Sequence, residues 1–273
     1  MTLSQIMPHT RHIEAPLNPD ISRLEALPQS VVAYGRDLAS HETIPFHQHR
    51  RAQLIYASQG VMNVTTSAAT YVVPPHQAVW MPGAISHRID ARSAVAMRTL
   101  YIEPNASLEL PRDVCVLQIS PLLRELILVA VDEGPHYESH HPQARLSAVI
   151  LDQICVQSIA PLALPMPSDP RLLRVTRALI SNPGDNRDLA DWVQLSGASK
   201  RTLGRLFAAQ TGMSFRTWRQ QCRVLRALEL LATGENVTNI ALMLGYESTS
   251  AFIAMFRRYL GTTPARYLQH HLQ

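Results

Sequence analysis

The chain has 273 residues, of which 46% are hydrophobic and 17% are charged, and its formal net charge is +4. This size and composition exclude a single small domain and a largely disordered chain. A membrane-spanning helix is also excluded, since the sequence has no run of about 18 apolar residues.

The first thirty residues lack the basic start and the apolar segment of a secretory signal. Three cysteines, Cys115, Cys155 and Cys222, are widely spaced and odd in number, which fits neither a disulfide framework nor a clustered zinc site. These features predict buried thiols in a protein of the reducing cytoplasm. Residues 1–30 are predicted to form an N-terminal arm.

Residues 31–110 are rich in β-forming side chains and are interrupted by turns. Short runs such as AQLIYASQG and AVWMPG recur about every 8–12 residues, as is typical of an all-β sandwich or barrel. Residues 111–160 then carry two helical patterns, in the segments 119–134 and 143–162. A polar, His-rich stretch joins them, so we predict an antiparallel helical pair.

The first of these helices is apolar over a wide arc. Two alternatives fit this pattern. The helix packs on the β-domain with one side and on a partner subunit with another, or it packs on the β-domain alone and leaves a partly apolar flank uncovered. The following stretch, PLALPMPSDP (161–170), has four prolines. It is predicted to be a semi-stiff linker that is neither helix nor paired strand.

The two halves of the chain differ in charge. From Arg171 onward there are 14 Lys and Arg against 6 Asp and Glu, a balance of +8, whereas the first 170 residues have 11 against 15. A basic C-terminal half suits a polyanion such as DNA. Lys200 is the only lysine, and this preference for arginine is explained either by recognition of guanine and phosphate or by a GC-rich genome.

Seven helices are predicted after the linker, because capping residues and glycine stops alternate along it. The stretch LGRLFAAQTG (203–212) aligns with FIAMFRRYLG (252–261) at an offset of 49. Each of these two units is a short helix, a turn containing glycine, a capped helix and a glycine stop. This pattern predicts two helix-turn-helix units, at 188–210 and 237–260.

The second helix of each unit has one apolar face for packing and one face without glutamate. The second face is formed by Lys200, Arg201, Gly204 and Arg205 in the first unit and by Thr249, Ser250, Ile253, Ala254 and Arg257 in the second. Small side chains and arginines allow a helix to enter the major groove of DNA, whereas a solvated face usually carries acidic residues too. We therefore predict two DNA-recognition helices.

The connecting helix, predicted at 214–233, would be ~30 Å long, close to the ~34 Å repeat of the major groove. It could therefore set the two recognition helices into neighbouring groove segments. Its arginines are predicted to contact phosphate, with solvated surface charge as the alternative. They are Arg216, Arg219, Arg223 and Arg226.

The stretch IALMLGYESTSAFIAMFRRYLGTTPARYL resembles the signature of the AraC/XylS family of bacterial transcription regulators. SKRTLGRLFAAQTGMSF matches the first unit of that family, and the resemblance covers about residues 170 to 268. It implies base contacts in the first unit from Arg201, Gly204 and Arg205, beside Lys200. In the second unit it implies base contacts from Thr249, Ser250 and Ala254, and phosphate contacts from Arg257 and Arg258.

Two positions depart from the family's usual pattern, since relatives often have a longer polar side chain in place of Gly204 and Ala254. The second unit is therefore expected to contact the DNA backbone more than the bases. Some members of this architecture, the NimR-like regulators, control a neighbouring transporter gene. That analogy does not identify an effector.

The N-terminal half is similar to the cupin barrel in two short motifs, which supply His47, His49 and His87 with Gln53 at the position of a metal-binding Glu. Glutamine is a poor ligand, so cupin enzyme chemistry is not expected. Three alternatives remain: hydrogen-bonded histidines without a ligand, an effector pocket, or a divalent metal ion on the three histidines. Tyr56, Trp80 and Tyr101 are predicted to line the pocket or to belong to the core.

The sequence therefore predicts an α+β protein with a cupin-like sensor barrel (31–110), a dimerising helical pair (111–160), a linker (161–170) and an AraC-type DNA-binding domain (171–273). Its expected partners are promoter DNA, an unknown small-molecule effector, a second copy and RNA polymerase, but no membrane. The one candidate cofactor is a divalent metal ion in the barrel. The alternatives are a metal-dependent cupin enzyme fused to a DNA-binding module and a ligand-independent regulator whose barrel only dimerises.

Overall fold

The computed structural model describes residues 19–106, 109–160 and 162–271. These residues form an N-terminal domain of two β-sheets with helices and a C-terminal domain of helices. Helix α1 (Pro19–Glu25) lies in the predicted N-terminal arm, whose first 18 residues are outside the described part of the chain. Within the described ranges, no helix is long and apolar enough to cross a membrane.

The strands of the N-terminal domain are short and antiparallel. In chain order they are β1 (Val31–Leu38), β2 (Thr43–His47), β3 (Ala52–Gln59), β4 (Met62–Thr65), β5 (Ala69–Val73), β6 (Gln77–Met81), β7 (His87–Ala91), β8 (Val95–Ile102), β9 (Cys115–Gln118), β10 (Ile159–Ala160) and β11 (Ala163–Pro165). One sheet has the order β1-β8-β3-β6-β9-β10, and the other has the order β11-β5-β4-β7-β2.

The two sheets pack face to face around one apolar core, which contains Ile55 and Val79 from the first sheet and Val64 and Val72 from the second. In the described residues the two sheets remain separate, so the prediction of a closed barrel is wrong. The physical reason is that sandwiches and barrels share the same two-residue alternation of inward and outward side chains. The sequence pattern therefore predicts the strands but not whether the sheet edges join.

Helices α2 (Pro121–Glu133) and α3 (Pro142–Cys155) contact each other and cover the outer face of the six-stranded sheet. Ser120 caps α2, and its side chain accepts from the backbone N–H of Leu123. The second predicted helix, 143–162, is too long, because residues 159–160 pair with β9 as strand β10. The cysteines are free thiols, with Cys222 buried and the other two half-buried.

Seven helices form the C-terminal domain in the described residues, as predicted. They are α4 (Pro170–Ser181), α5 (Val193–Ser196), α6 (Lys200–Thr211), α7 (Phe215–Ala232), α8 (Val237–Met243), α9 (Thr249–Leu260) and α10 (Pro264–His271). Helix α5 is shorter than predicted, because the carboxylates of Asp188 and Asp191 accept from nearby backbone N–H groups and hold residues 188–191 in a turn.

The predicted cap and glycine stop of α6 and of α9 are confirmed. The side chains of Ser199 and Ser248 accept from backbone N–H groups in the first turns of α6 and α9, which satisfies donors that a helix leaves unpaired. Both helices end at a glycine in the left-handed region, with φ of 68° at Gly212 and 72° at Gly261. Helices α6 and α9 thus have the same length and the same ends.

The stretch predicted as a linker is partly a strand. Residues Ala163–Pro165 pair with β5 at the edge of the five-stranded sheet, where a proline is tolerated because its missing N–H would point away from the sheet. The indole N–H of Trp218 on α7 donates to the Pro165 carbonyl over 2.7 Å, and Gln221 donates to the Ala163 carbonyl over 2.7 Å. The prediction that this stretch makes no strand pairs is therefore wrong.

Candidate functional site

Helix α6 has one buried face and one exposed basic face. Leu203 and Phe207 are fully buried against the domain core. Lys200, Arg201 and Arg205 are exposed, as the sequence predicted. Gly204 is half-buried, and a methyl group there would lie 3.6 Å from the Leu189 side chain, which is an ordinary contact. Packing therefore permits a side chain at Gly204.

Helix α9 repeats this arrangement with smaller side chains. Phe252 and Phe256 are fully buried, whereas a second group of residues on the helix faces outward. The exposed members are Ser250, Ala254, Arg257 and Arg258, and the half-buried ones are Thr249 and Ile253. No acidic residue occurs in α6 or α9, so neither helix repels phosphate.

Helix α7 lies between α6 and the pair α8 and α9 in the chain, and its 18 residues span about 27 Å. It is buried over most of its length, and this changes the roles of its arginines. Arg216 is exposed as predicted. Arg223 is buried and donates to the Pro183 carbonyl and the Asn186 side chain, each over 2.8 Å. The prediction that it contacts phosphate is therefore wrong.

Two more arginines of α7 have partners within the protein. Arg219 is half-buried and donates to the Arg187 carbonyl over 2.6 Å, and burial lowers the pKa of its guanidinium. Arg226 donates to Glu229 over 2.7 Å. Long arginine side chains on a central helix reach backbone carbonyls at the surface of the core. Arg216 is therefore the arginine of α7 best placed for DNA.

Three histidines form a buried cluster in the N-terminal domain. One ring nitrogen from each of His47, His49 and His87 lies within 4.8 Å of the others, and at most 6% of each residue is exposed. His47 lies at the end of β2, His87 begins β7, and the two are paired across the sheet. Burial, and then the neighbouring His47, lower the pKa of His87 to about 3, so its imidazole is neutral near pH 7.

Gln53 lies beside the cluster on the inner face of β3. Its Oε1 is 2.9 Å from His49 Nε2, and its amide N–H donates to the Thr99 hydroxyl over 2.8 Å. Tyr101 is paired with Gln53 on the neighbouring strand, and its ring lies edge-on to His49 at 5.1 Å between centroids. Gln53 therefore lies beside the histidines, as predicted. Tyr101, which was predicted to line the pocket or to belong to the core, contacts His49 and also packs in a small core cluster with Ile21 and Leu24.

Tyr56 and Trp80 do not line this site. Both belong to the core between the six-stranded sheet and helices α2 and α3, and Trp80 donates to the Pro111 carbonyl over 2.7 Å. Side chains alternate between the two faces of a strand. Tyr56 therefore points to the face opposite Gln53, and Trp80 lies opposite Leu54 on that same outer face.

A buried carboxylate links the two domains. Glu229 of α7 is 5% exposed and accepts from the Asn63 amide on β4 over 2.8 Å. Arg226 also donates to it, and Arg92 from the loop after β7 lies 3.4 Å away as an ion pair. Glu229 thus joins a strand and a loop of the N-terminal domain to helix α7.

A cavity of about 330 Å³ lies at this junction. Its lining comes from both domains and includes Asn63, Arg92, Leu164, Cys222, Arg226 and Glu229. The cavity is large enough for a small organic molecule. A molecule bound there would touch the same groups that connect the domains.

Replacement of Glu229 by Ala is expected to lower the free energy of unfolding by about 1–2 kcal/mol, because it leaves the buried Asn63 amide without its acceptor. The two arginines add little, since each reaches solvent. Urea titration measures the change. The exposed Glu133 on α2 provides the control Glu133→Ala, which is expected to change stability by less than about 0.5 kcal/mol. Equal losses in the two variants would contradict this role for Glu229.

Family models match both halves of the chain. A model described as an AraC-like ligand binding domain matches residues 28–154, and one described as a helix-turn-helix domain matches residues 192–270. The HTH-type transcriptional regulator NimR of Escherichia coli (strain K12) is 39% identical over 226 residues, which is 83% of this chain and 82% of NimR.

The chain belongs to the AraC family of transcriptional regulators. Two solved structures are also similar. The DNA-binding domain of AdpA, in complex with a target DNA, is 31% identical and covers 39% of this chain and 99% of its own, with a TM-score of 0.35. Unsaturated fatty acid bound ToxT from Vibrio cholerae is 15% identical and covers 89% of this chain and 96% of its own, with a TM-score of 0.38.

Membership in this family agrees with the geometry. The helix-turn-helix match runs from Trp192 to residue 270 and so contains both α6 and α9. The ligand-binding match contains the three histidines and Gln53. Because the curated relatives are named as regulators, the regulator is not an enzyme, and the cupin-enzyme alternative is set aside.

Sequence reasoning missed the domain-linking residues of this AraC-family regulator. Glu229 is the only acidic residue of α7 and lies between Leu228 and Leu230. A lone carboxylate among leucines indicates a buried polar contact, and this signal was available. Nothing in the sequence indicated that Asn63 and Arg92 would be its partners, because they are more than 130 residues away.

Proposed function

We propose that this regulator binds promoter DNA through two helix-turn-helix units, formed by α5 with α6 and by α8 with α9. The observation that carries this proposal is the pair of exposed faces without acidic residues on α6 and α9, joined by one 18-residue helix. The ~27 Å length of α7 is comparable to the ~34 Å between major-groove segments on one side of DNA. Each chain then occupies two neighbouring segments of the major groove.

The two units differ in how they bind. In the first, the exposed side chains of Lys200, Arg201 and Arg205 reach base edges, with Gly204 allowing close approach. In the second unit, the side chains of Thr249, Ser250 and Ala254 are short, so this unit contacts the DNA backbone more than the base edges. The residues proposed for phosphate contacts are Arg216, Arg257 and Arg258, with Arg219 shielded by its bond to the Arg187 carbonyl.

The proposal is tested by titrating the full-length protein against the promoter DNA beside its own gene, with a shuffled sequence as the control. We expect selective binding that weakens about a hundredfold or more between ~50 and ~200 mM salt, because several phosphates are neutralised. Equal affinity for both sequences would contradict sequence-specific regulation of that promoter.

We further propose that the regulator works in the cytoplasm and that its effector acts through the contacts between the two domains. A small molecule in the cavity of about 330 Å³ would alter the position of Glu229 and Arg226 on α7. This helix fixes the distance between the two recognition helices. A thermal shift with candidate effectors distinguishes this regulator from one whose N-terminal domain only dimerises.

The surface of α2 and α3 supports a homodimer. Four apolar residues are exposed there at a spacing of seven: Leu122 (53%) and Val129 (42%) on α2, and Val149 (42%) and Val156 (73%) at the end of α3. A seven-residue spacing places two side chains on the same helix face. We propose that a second copy covers these stripes. RNA polymerase is a further proposed partner, as the family resemblance implies.

Replacement of both Leu122 and Val129 by Glu is expected to convert the dimer into a monomer, because each chain would bury two carboxylates in the interface. Sedimentation velocity measures the mass. Leu242 on α8, which is 67% exposed, provides the control Leu242→Glu, and this variant is expected to remain dimeric. A double variant with the mass of the unchanged protein would rule out this interface.

A further inference from the structure

The ring nitrogens of the histidine cluster are oriented by the backbone. The Nδ1 atoms of His47, His49 and His87 lie 2.8, 2.6 and 2.9 Å from the carbonyl oxygens of Pro45, Arg51 and Ile85. A carbonyl oxygen only accepts, so each Nδ1 carries the hydrogen. In a neutral imidazole this leaves Nε2 as the atom with a lone pair, which is how metal-binding histidines are held.

His87 Nε2 is buried and has no hydrogen-bond partner, although buried polar atoms in proteins are nearly always paired. His87 itself is fully buried, and it lies 4.4 Å from His47 and 5.3 Å from His49 between ring centroids. Its unpaired atom belongs to the set of three nitrogens that lie within 4.8 Å of one another. A ligand for this atom would therefore also reach the other two rings.

Gln53 adds a second indication. Its amide N–H donates to Thr99, and the Thr99 hydroxyl donates to the Leu54 carbonyl over 2.9 Å. This chain directs the oxygen of Gln53 at His49 Nε2, 2.9 Å away. Two acceptors in contact repel each other unless a cation lies between them. Two ligands ~2.1 Å from one metal ion would be ~3.0 Å from each other at an angle of ~90° and ~3.4 Å at the tetrahedral angle, so a separation of 2.9 Å is close to the lower value.

The site is held in place before any ligand binds. Arg51 is fully buried, donates to the carbonyls of Leu27 and Gln29, and lies 2.8 Å from Glu103. Its backbone N–H donates to Glu25 of α1. The carbonyl that orients His49 is therefore fixed by contacts with Glu25 of α1, with the segment that follows α1, and with Glu103 just after β8. Ala84 donates to the His49 carbonyl over 2.8 Å and so holds the loop that leads to His87.

We propose that His47, His49 and His87, with the oxygen of Gln53 as a fourth ligand, bind one divalent ion of the zinc class. Three imidazoles and one carbonyl-type oxygen suit zinc, cobalt, nickel or copper rather than magnesium or calcium. All four ligands are neutral, so the charge of the ion is not compensated and affinity is moderate. The proposal concerns the N-terminal domain alone and does not depend on DNA binding.

The test is a titration of the full-length protein, freed of metal by a chelator, with Co²⁺ followed by competition with Zn²⁺. We expect one Co²⁺ per chain, visible-region absorption of a site with nitrogen ligands, and displacement by Zn²⁺. His87→Ala is expected to remove this absorption. The control His136→Ala removes an exposed loop histidine and is expected to leave binding unchanged.

Because His87 is buried and its variant could fail to fold, Gln53→Glu provides the decisive variant. A carboxylate at this position supplies the missing negative charge, so we expect metal affinity to rise about tenfold or more. The proposal would be overturned if the unchanged protein bound less than one ion per chain and Gln53→Glu did not increase metal affinity. That result would indicate a second proton on His49 or a reversed Gln53 amide, either of which allows a hydrogen bond between these two side chains without an ion.

Discussion

The Arg205→Ala variant is expected to bind its operator about tenfold to a hundredfold more weakly than the unchanged protein. Arg205 is exposed on the basic face of α6 and has no acidic neighbour within that helix. A bidentate arginine contact with guanine contributes about 1–3 kcal/mol of discrimination. Titration of operator DNA by fluorescence anisotropy, at a fixed salt concentration, measures the change.

The matched control for this prediction is Arg145→Ala. Arg145 is exposed on α3 in the other domain, so its removal changes the net charge by the same amount without touching α6. If both variants lost affinity equally, arginine would act only through overall charge. Arg205 should also alter which bases are preferred at its own position, whereas a phosphate contact would weaken all sequences alike.

The Trp218→Ala variant is expected to lose about 3–5 kcal/mol of unfolding free energy, as is usual when a large buried aromatic residue is truncated. Trp218 is fully buried and packs against Phe207 of α6 at 6.0 Å between ring centroids. It also donates to the Pro165 carbonyl on β11. Removal of the indole therefore opens a cavity where β11 and α6 meet.

Trp218→Phe separates the two contributions. The phenyl ring retains most of the packing but loses the hydrogen bond to Pro165, so we expect a loss of about 1 kcal/mol. Denaturant unfolding followed by circular dichroism measures both variants. A Trp218→Ala protein as stable as the Phe variant would show that the ring packing of Trp218 adds nothing to its hydrogen bond with Pro165.

The sequence predicted best those features that depend on neighbouring residues. The caps at Ser199 and Ser248 and the glycines after α6 and α9 act within one helical turn, so their positions are visible in the chain. The buried and exposed faces of α6 and α9 follow from helical spacing. Both faces were predicted correctly, and they form the candidate DNA-binding surface.

Features that depend on distant residues were predicted poorly. Arg223 has the spacing of a surface arginine, but its partners lie about 40 residues earlier in the chain. Residues 163–165 have the composition of a linker, yet β5 offers them a free sheet edge. Tyr56 and Trp80 were predicted to line the pocket or to belong to the core, and both belong to the core. Alternation from Gln53 along β3 already places Tyr56 on the other face, whereas Trp80 is placed there by its pairing with Leu54, which depends on a different strand.

The binding of two major-groove segments by each chain is tested most directly by hydroxyl-radical footprinting of the full-length protein on its operator. With the Leu122→Glu/Val129→Glu variant, one chain is expected to bind alone. Two protected segments about one helical turn apart, ~10 base pairs, are the result that two recognition helices joined by α7 predict. A single protected segment from one chain would contradict the account and leave only one of the helices, α6 or α9, in contact with DNA.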